Sequence, residues 1–429
     1  MASGDVACDS VELVSKFRFA RRFHGWLPRR VDLANGGAFG LLEVPEAGAT
    51  GKKCRRPAAY GMRILYADLE REWRGGQSQA LLTLQGLVRA NHQVELVAAE
   101  RSPLAQRAAQ LGIRVHVSRR FGLRAWAAQA MAQLSTRASQ SAGEPFALAQ
   151  LNEPHALTAA WLAGLHRRMP LLLSRRIGFP LQENWVSQAR FRAVERFVAN
   201  SEDVAKSLVK SGIARERISV VNEGVSIPEL PNSEVRARAR KRWGIGDAEF
   251  LFGCVSVFVP EKGQRHIIEA LSEVRRKYPQ ARLILAGDGA CRGELESLAR
   301  RMEQQDAVLF PGFVNDIEEV YAALDAFVFP SEFEGLGTAL QTAMAMALPS
   351  ISTARGALAE VVDDQRTALV VEPNAQEFAQ AMLLLMDSPE LRGRLGVAGR
   401  KEVIERFSAE RMVANTIQVY EDVLSRSRA

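Results

Sequence analysis

One stretch of this 429-residue chain gathers residue types suited to holding an anion and a hydroxylated ligand together. It reads Pro330-Ser331-Glu332-Phe333-Glu334-Gly335-Leu336-Gly337-Thr338. The apolar run Ala326–Phe329 precedes it, and a helical pattern over Thr338–Ala347, carrying Thr342, follows. A glycine-rich turn between strand and helix lets backbone N–H groups at the helix start face an anion. Glu334, at the strand end, is placed to accept hydrogen bonds from ligand hydroxyls. The plain alternative is a tight turn with a carboxylate near a helix dipole.

Other segments repeat this strand-to-helix position. Val259-Pro260-Glu261-Lys262-Gly263 follows a strand, and alone its lysine could be an ordinary surface residue. Ala286-Gly287-Asp288-Gly289 ends another strand, yet it completes no Gly-x-Gly-x-x-Gly fingerprint and identifies no ribose-binding acid. In Phe313-Val314-Asn315-Asp316, Asn315 and Glu318 form a capping-box pattern. Arg74-Gly75-Gly76-Gln77 joins the first strand to its helix, where a plain turn would also fit. The strand Phe146–Asn152 runs into Glu153-Pro154-His155. Ser174-Arg175-Arg176-Ile177-Gly178-Phe179-Pro180 ends a strand with paired arginines, which suit a phosphate or carboxylate as well as a structural ion pair.

These segments need a scaffold that collects strand ends. Strands are expected at Ile64–Leu69, Gln93–Val97, Ile113–Val117, Phe146–Asn152, Leu171–Ser174, Arg196–Asn200 and Ile218–Val221, with helices over Gln77–Arg89, Pro103–Leu111, Ala125–Ser135 and His155–His166 between them. Short apolar strands alternating with amphipathic helices indicate a parallel sheet covered on both faces. The alternation stops at Pro228-Glu229-Leu230-Pro231-Asn232-Ser233 and a charged helix, then restarts. The second set comprises Phe250–Val255, Leu283–Ala286, Val308–Phe310, Ala326–Phe329 and Ser350–Thr353, and the helices Ala375–Met386 and Ala409–Leu424 close the chain. The expected fold class is therefore α/β, with two doubly wound sheets facing a central cleft at their strand C-terminal ends. The domains expected are 62–228 and 229–429, with the last helix packing back on the first. Residues 1–61 show no sustained period and read as a poorly ordered leader or a misassigned start before Met62.

The Glu334-Gly335-x-Gly337 segment resembles the signature of glycosyltransferase family 4, retaining enzymes of GT-B fold with two Rossmann-like domains. That pattern carries a second acid eight positions after the first glutamate, where this chain has Thr342. The resemblance extends over most of residues 62–425. It implies that Glu334 contacts the sugar of a nucleoside diphosphate sugar donor, and that Thr342 stands where the ribose is gripped. It implies a diphosphate contact for Lys262, while Val257 and Val259 occupy the places of a frequent second cation, an arginine. Gly75 and Gly76 would lie near donor phosphates and acceptor, Gly287 and Gly289 on the nucleotide side, and Val314 beside the base. Leu336 and Thr338 belong to the donor loop with Gly335 and Gly337. At the family's His-x-His strand end this chain has Gln150 and Asn152, so either Asn152 or the later His155 takes the active-site role. Arg175 and Arg176 join the donor-binding candidates.

The implied reaction is glycosyl transfer with retention of configuration to a saccharide or lipid-linked acceptor, in cell-envelope or exopolysaccharide synthesis. No cofactor is expected, and no Asp-x-Asp or His/Asp cluster suggests a metal. Rival readings are a non-catalytic GT-B protein that binds nucleotide sugars and, more remotely, a nucleotide-sugar 2-epimerase. The epimerase would want further acid–base groups, and the chain has six histidines. A nicotinamide dehydrogenase lacks its fingerprint in both halves.

Composition, 47% hydrophobic and 24% charged, is ordinary for a soluble globular protein. The net charge of +7 is partly local, since residues 1–61 hold ten basic and six acidic side chains and the remainder 46 and 43. The body is near balance, which argues against nucleic acid. His166-Arg167-Arg168 and Arg236–Arg242 are basic runs that suit a solvated face, and such runs also serve peripheral contact with an anionic membrane. No apolar run approaches the roughly 20 residues that span a bilayer. Cys8, Cys54, Cys254 and Cys291 lack metal or disulfide spacing. A cytoplasmic location, extending to the inner face of the plasma membrane, is expected.

Overall fold

The computed structural model describes residues 61–118, 127–134, 145–178, 181 and 184–426. The expected leader, apart from Gly61, lies outside the described residues, as do Phe179, Pro180, Cys8 and Cys54. In the first half the chain forms β1 (Arg63–Asp68), α1 (Gly75–Arg89), β2 (Gln93–Ala99), α2 (Pro103–Gln110), β3 (Arg114–Ser118) and α3 (residues 127–134). It continues through β4 (Leu148–Leu151), α4 (Pro154–Leu162), β5 (Leu171–Arg175), α5 (Trp185–Arg192), β6 (Arg196–Ala199), α6 (Glu202–Lys210) and β7 (Ile218–Val220). Every pairing in this sheet is parallel, in the order β3-β2-β1-β4-β5-β6-β7.

Alternation along β1 shows why these strands read as apolar runs. Ile64 and Tyr66 point to one face, into a cluster with Ala80, Leu84 and Leu87 of α1. Leu65 and Ala67 point to the other, into a cluster with Ala156 and Ala160 of α4. Both faces are buried, so period-two polarity disappears.

After the proline-bearing linker come α7 (Ser233–Arg242), β8 (Phe250–Val255), α8 (Gln264–Lys277), β9 (Ala281–Ala286), α9 (Arg292–Arg301), β10 (Val308–Gly312) and α10 (Ile317–Ala323). Then follow β11 (Ala326–Phe329), α11 (Thr338–Ala345), β12 (Ser350–Ser352), β13 (Leu369–Val370), α12 (Ala375–Asp387), α13 (Pro389–Arg406) and α14 (Ala409–Arg426). The second sheet is also parallel, ordered β10-β9-β8-β11-β12-β13. In each sheet the order reverses beside the first strand, at β1/β4 and at β8/β11, and such a switch point opens a crevice at the strand C-terminal ends. The α/β expectation of two doubly wound sheets holds.

The sequence reading gave no range for α5, α6, α8, α9, α10, β13 or α13. The last is instructive. Gly393, Gly396 and Gly399 blur its helical pattern, yet two of them are required. A Cβ on Gly396 would sit 2.2 Å from the Ala347 carbonyl oxygen, and one on Gly399 would sit 3.1 Å from that of Thr367. Close packing has selected glycine over helix propensity.

The chain end returns to the first half. Val225 bridges Ser408, and Met412, Val413, Val419, Tyr420 and Val423 of α14 enter the cluster on β1 and α1. Gly86 makes room, since a Cβ there would lie 2.3 Å from Val413 Cγ2. Gln79 of α1 fixes the chain crossing: its Nε2 donates to the Gly224 carbonyl at 2.9 Å and its Oε1 accepts from Gly224 N–H at 3.1 Å.

Candidate active site

The C-terminal half builds its side of the cleft from three loops at the ends of β8, β9 and β11. After β8 the backbone makes a 3-10 turn over Pro260–Lys262 and reverses at Gly263, whose φ is +64°. A Cβ at Gly263 would lie 2.3 Å from the Pro330 carbonyl oxygen, so glycine lets the two loops touch. That contact brings Lys262 to Glu334. The Lys262 ammonium lies 2.5 Å from Glu334 Oε1 and donates to the Phe333 carbonyl at 3.2 Å. The side chains are 17% and 16% exposed, so the pair is sheltered yet reachable.

The loop from Pro330 closes at Gly337, the residue before α11, with φ +69°. Leu336 points into the core and contributes its backbone alone to the cleft. Thr338 and Thr342 are half-buried on the first turns of α11, and the Thr342 hydroxyl donates to the Thr338 carbonyl at 2.8 Å. The loop after β9 packs under the loop after β8. A Cβ on Gly287 would meet the Ser256 carbonyl oxygen at 1.9 Å, and one on Gly289 the Phe258 carbonyl oxygen at 2.4 Å. These glycines therefore serve loop packing as well as any ligand. Val314 is half-buried against the core, while its neighbour Phe313 is 71% exposed.

The N-terminal half is organised differently. α1 opens on Gly75-Gly76 with no side-chain cap, which presents first-turn N–H groups as an anion site. Beneath it lies Asp68, fully buried, which accepts from Gln77 Nε2 at 3.1 Å, from the Glu70 N–H at 3.0 Å and from Asn152 Nδ2. Asn152 also accepts from the Tyr66 hydroxyl at 3.1 Å, and its Nδ2 lies 3.4 Å from the Gly76 carbonyl. Its amide is thus committed to the protein and braces the glycine turn. Burial raises the Tyr66 hydroxyl pKa, keeping it a donor.

His155 stands exposed on the first turn of α4. Ligand atoms of Glu70, Glu153 and His155 lie within 4.8 Å of one another. Glu153 is the helix cap: its carboxylate accepts from the N–H groups of Leu69 at 3.2 Å, Ala156 at 2.7 Å and His155. Both oxygens are so engaged, which leaves little for a cation. Burial pushes its pKa up to about 7 despite these donors, with Asp68 adding to the rise.

Arg175 ends β5 half-buried, and desolvation lowers its pKa. Arg176 is central. Its NH1 donates to the Asn152 carbonyl at 3.1 Å, its Nε lies 2.9 Å from Glu223 Oε1, and its Cδ packs 3.9 Å from a Cβ position on Gly76. Across the cleft a Cβ on Gly335 would lie 2.8 Å from the Arg176 carbonyl oxygen and 3.2 Å from Asn200 Nδ2. The two halves also meet at the rim. Glu360 accepts from the N–H groups of Glu202 and Asp203, each at 3.0 Å, at the N-terminus of α6.

The structure therefore groups Lys262, Glu334, Gly335 and Arg176, with Asn152 beneath Gly76. It keeps His155 on the surface and Leu336 in the core. The sequence reading did not name Asp68, Asn200, Glu223 or Glu360. Asp68, Asn200 and Glu223 follow or end parallel strands, a position that marks ligand-facing residues in such sheets.

Two family profiles match in tandem: one described as Glycosyltransferase Family 4 over residues 73–228, and one described as Glycosyl transferases group 1 over residues 235–402. Together they cover most of the chain. It belongs to the group 1 glycosyltransferases of GT-B fold. Among curated members, the N-acetyl-alpha-D-glucosaminyl L-malate synthase of Bacillus anthracis is 26% identical over 250 residues, covering 53% of this chain and 65% of that protein. The GDP-mannose-dependent alpha-(1-6)-phosphatidylinositol monomannoside mannosyltransferase of Mycolicibacterium smegmatis is 30% identical over 187 residues, covering 41% and 49%. The matched segments thus span roughly half to two thirds of these relatives. Among solved structures, Anabaena HepE in complex with UDP and glucose has a TM-score of 0.70 at 21% identity, covering 84% of this chain and all of its own. That likeness extends the GT-B architecture of the group 1 family to nearly all the described residues.

Proposed function

We propose that this protein transfers a glycosyl unit from a nucleoside diphosphate sugar to a saccharide or lipid-linked acceptor, with retention of configuration. The observation that carries this reading is the Lys262–Glu334 pair, held at the mouth of a glycine-lined loop. As the glycosidic bond to the diphosphate breaks, the leaving group gains negative charge and the sugar becomes oxocarbenium-like. Lys262 lies where it can turn from Glu334 to the leaving phosphates, supported by N–H groups of the loop at Gly335–Thr338 and of the α1 start. Fixed donors that meet developing charge lower the barrier more than they tighten ground-state binding. Freed from Lys262, Glu334 accepts from sugar hydroxyls. Residues 62–228 would form the acceptor side, with α14 packed back on it, and residues 229–429 the donor side. The family likeness, with a relative described as a phosphatidylinositol monomannoside mannosyltransferase, favours cell-envelope or exopolysaccharide synthesis by a cytoplasmic, membrane-peripheral enzyme. Among the described residues no helix is long and apolar enough to cross a membrane.

The test is a panel of nucleoside diphosphates and their hexosyl conjugates, read by thermal shift and then by turnover. A ligand at ~100 times its Kd stabilises by ~2.7 kcal/mol. The reading requires at least one conjugate to shift melting and to be consumed when an acceptor is present.

A second reading, a non-catalytic nucleotide-sugar binder, draws on Thr342, whose hydroxyl is turned to the Thr338 carbonyl. Thr342→Glu separates the two. A carboxylate there would accept from the ribose hydroxyls, and about tenfold tighter nucleotide binding, ~1.4 kcal/mol, is expected of an enzyme with one weakened contact. Unchanged or weaker affinity, with an unchanged melting temperature, supports the binder.

A further inference from the structure

The near balance of charge over residues 62–429 is a sum of two opposite halves. Residues 62–228 carry 22 basic and 13 acidic side chains, whereas residues 229–429 carry 24 and 30. Helix dipoles favour acids at helix N-termini and cations at C-termini. In the C-terminal half α7, α9, α12 and α13 each have an acid in the first turn, while α1, α2 and α5 of the N-terminal half have none. The N-terminal half is therefore basic because acids are missing, which the dipoles do not explain. Ion pairing shows the same asymmetry. Arg242 pairs with Glu319, Lys277 with Asp387, Arg292 with Glu296 and Arg366 with Asp363. Among the described residues, Arg167, Arg192, Lys206 and Lys210 are exposed and pair with no carboxylate.

These four cations share the outer side of one helix layer. α4 and α6 bury Ala156, Ala160, Val204 and Leu208 on the same sheet face, and Phe191 of α5 packs against that cluster. The layer is continuous: Arg190 of α5 donates to the Thr158 hydroxyl of α4 at 2.5 Å, and Arg217, in the turn after α6, donates to the Phe191 carbonyl at 2.9 Å. The opposite stripe of each helix points away from the sheet. It holds Leu162 at the end of α4, Trp185 and Arg192 two turns apart on α5, and Lys206, Val209 and Lys210 on α6, with Arg167 in the turn after α4. Leu162, Trp185 and Val209 are 57%, 79% and 44% exposed. The exposed acids lie towards the ends of the helices: Glu202 and Asp203 begin α6, and Glu195 precedes β6. A polyanion dissolved in water would take up the cations and leave these apolar side chains in water. An anionic bilayer accepts both, because its headgroups attract nearby cations and its interface lodges tryptophan and aliphatic side chains.

We propose that the outer face of α4, α5 and α6 is a docking surface for an anionic lipid bilayer, with Trp185 and Leu162 entering the interface and Arg167, Arg192, Lys206 and Lys210 meeting the headgroups. This inference rests on the membrane-peripheral part of the reading above, for which it names the face and the headgroup charge. It does not depend on the sugar donor.

The test is flotation of the full chain with vesicles of phosphatidylcholine alone and of phosphatidylcholine mixed with phosphatidylglycerol, without nucleotide. Wild type should float with the mixed vesicles, weakly or not at all with the neutral ones, and less as salt is raised. The triple variant Arg192→Gln, Lys206→Gln and Lys210→Gln should lose more than tenfold in affinity, since each cation near the surface contributes roughly fivefold. Trp185→Ser should lose about fivefold. Arg300→Gln with Arg301→Gln, on α9 of the other half, should bind as wild type does. All the substituted side chains are exposed, so unchanged melting is expected, and if one variant fails to fold the other decides. No flotation, equal flotation with both vesicles, a triple variant that binds normally, or an equal loss in the α9 variant would overturn the surface. Cation-dependent binding that Trp185→Ser leaves unchanged would mark a general polyanion site and overturn the bilayer. Because no donor is present, failure here leaves the transfer reading standing, and a donor panel without binding or turnover removes that reading while vesicle binding persists.

Discussion

The two walls of the cleft use opposite designs. On the C-terminal wall, glycines let three loops stack, and Lys262 pairs with Glu334 and donates to the neighbouring Phe333 carbonyl. On the N-terminal wall, Asp68, Asn152, Tyr66, Gln77 and Arg176 form a buried polar network with most of its capacity used internally. Under the proposed function the first wall turns its chemistry to a ligand, whereas the second uses its own to hold a glycine turn still. The contrast teaches that a polar residue at a strand end is not thereby a ligand contact. What decides is how many of its hydrogen-bonding atoms the protein has already claimed.

If that contrast is right, substitutions on the two walls should fail differently. The largest expected effect on stability is at Asp68. Asp68→Leu strands the amides of Gln77 and Asn152 and the Glu70 N–H, and the loss of bonds to a buried carboxylate should cost about 3–5 kcal/mol. A fall of many degrees in melting temperature checks this, and near-native melting would show that the network is not structural.

Next is Gly337→Ala. Its φ of +69° is strained for alanine, and the new Cβ would meet Leu358 Cδ2 at 2.6 Å. About 2 kcal/mol of lost stability is expected. Donor binding should weaken with it, because the strained residue sits inside the proposed donor loop. A variant that loses stability while binding donor normally would separate loop geometry from ligand recognition.

A smaller effect belongs to the rim. Glu360→Ala removes the acceptor for two N–H groups of α6, and an exposed pair of this kind nets about 1 kcal/mol. That corresponds to roughly fivefold more of the open arrangement. Solution scattering should report a larger radius of gyration, with core stability unchanged. Identical scattering would show that Glu360 does not hold the halves together.

The same contrast explains what could be read from the sequence. The C-terminal wall was legible because its parts are local: Glu334, Gly335 and Gly337 lie within four positions, and Lys262-Gly263 is a contiguous turn. The alternation of apolar strands and helices likewise revealed both sheets. Asp68, Asn200 and Glu223 were not legible, because β1, β6 and β7 place them and their meaning arises only when the sheet order brings those ends together. The glycines of α13 hid a helix because a packing demand outweighed propensity. His155 is a different case: its residue type suggested chemistry, and the structure sets it at an exposed helix start behind Pro154 and the Glu153 cap.

In the proposed reaction Lys262, released from Glu334, stabilises the departing diphosphate. The direct measurement is the turnover of Lys262→Ala against wild type with the best nucleotide sugar, alongside its affinity for the donor and its melting temperature. Removing one such preorganised charge typically costs about 10²–10³ in kcat. A loss of that size or greater, a modest change in donor affinity and an unchanged melting temperature are expected. A variant with near-normal kcat/KM would contradict it.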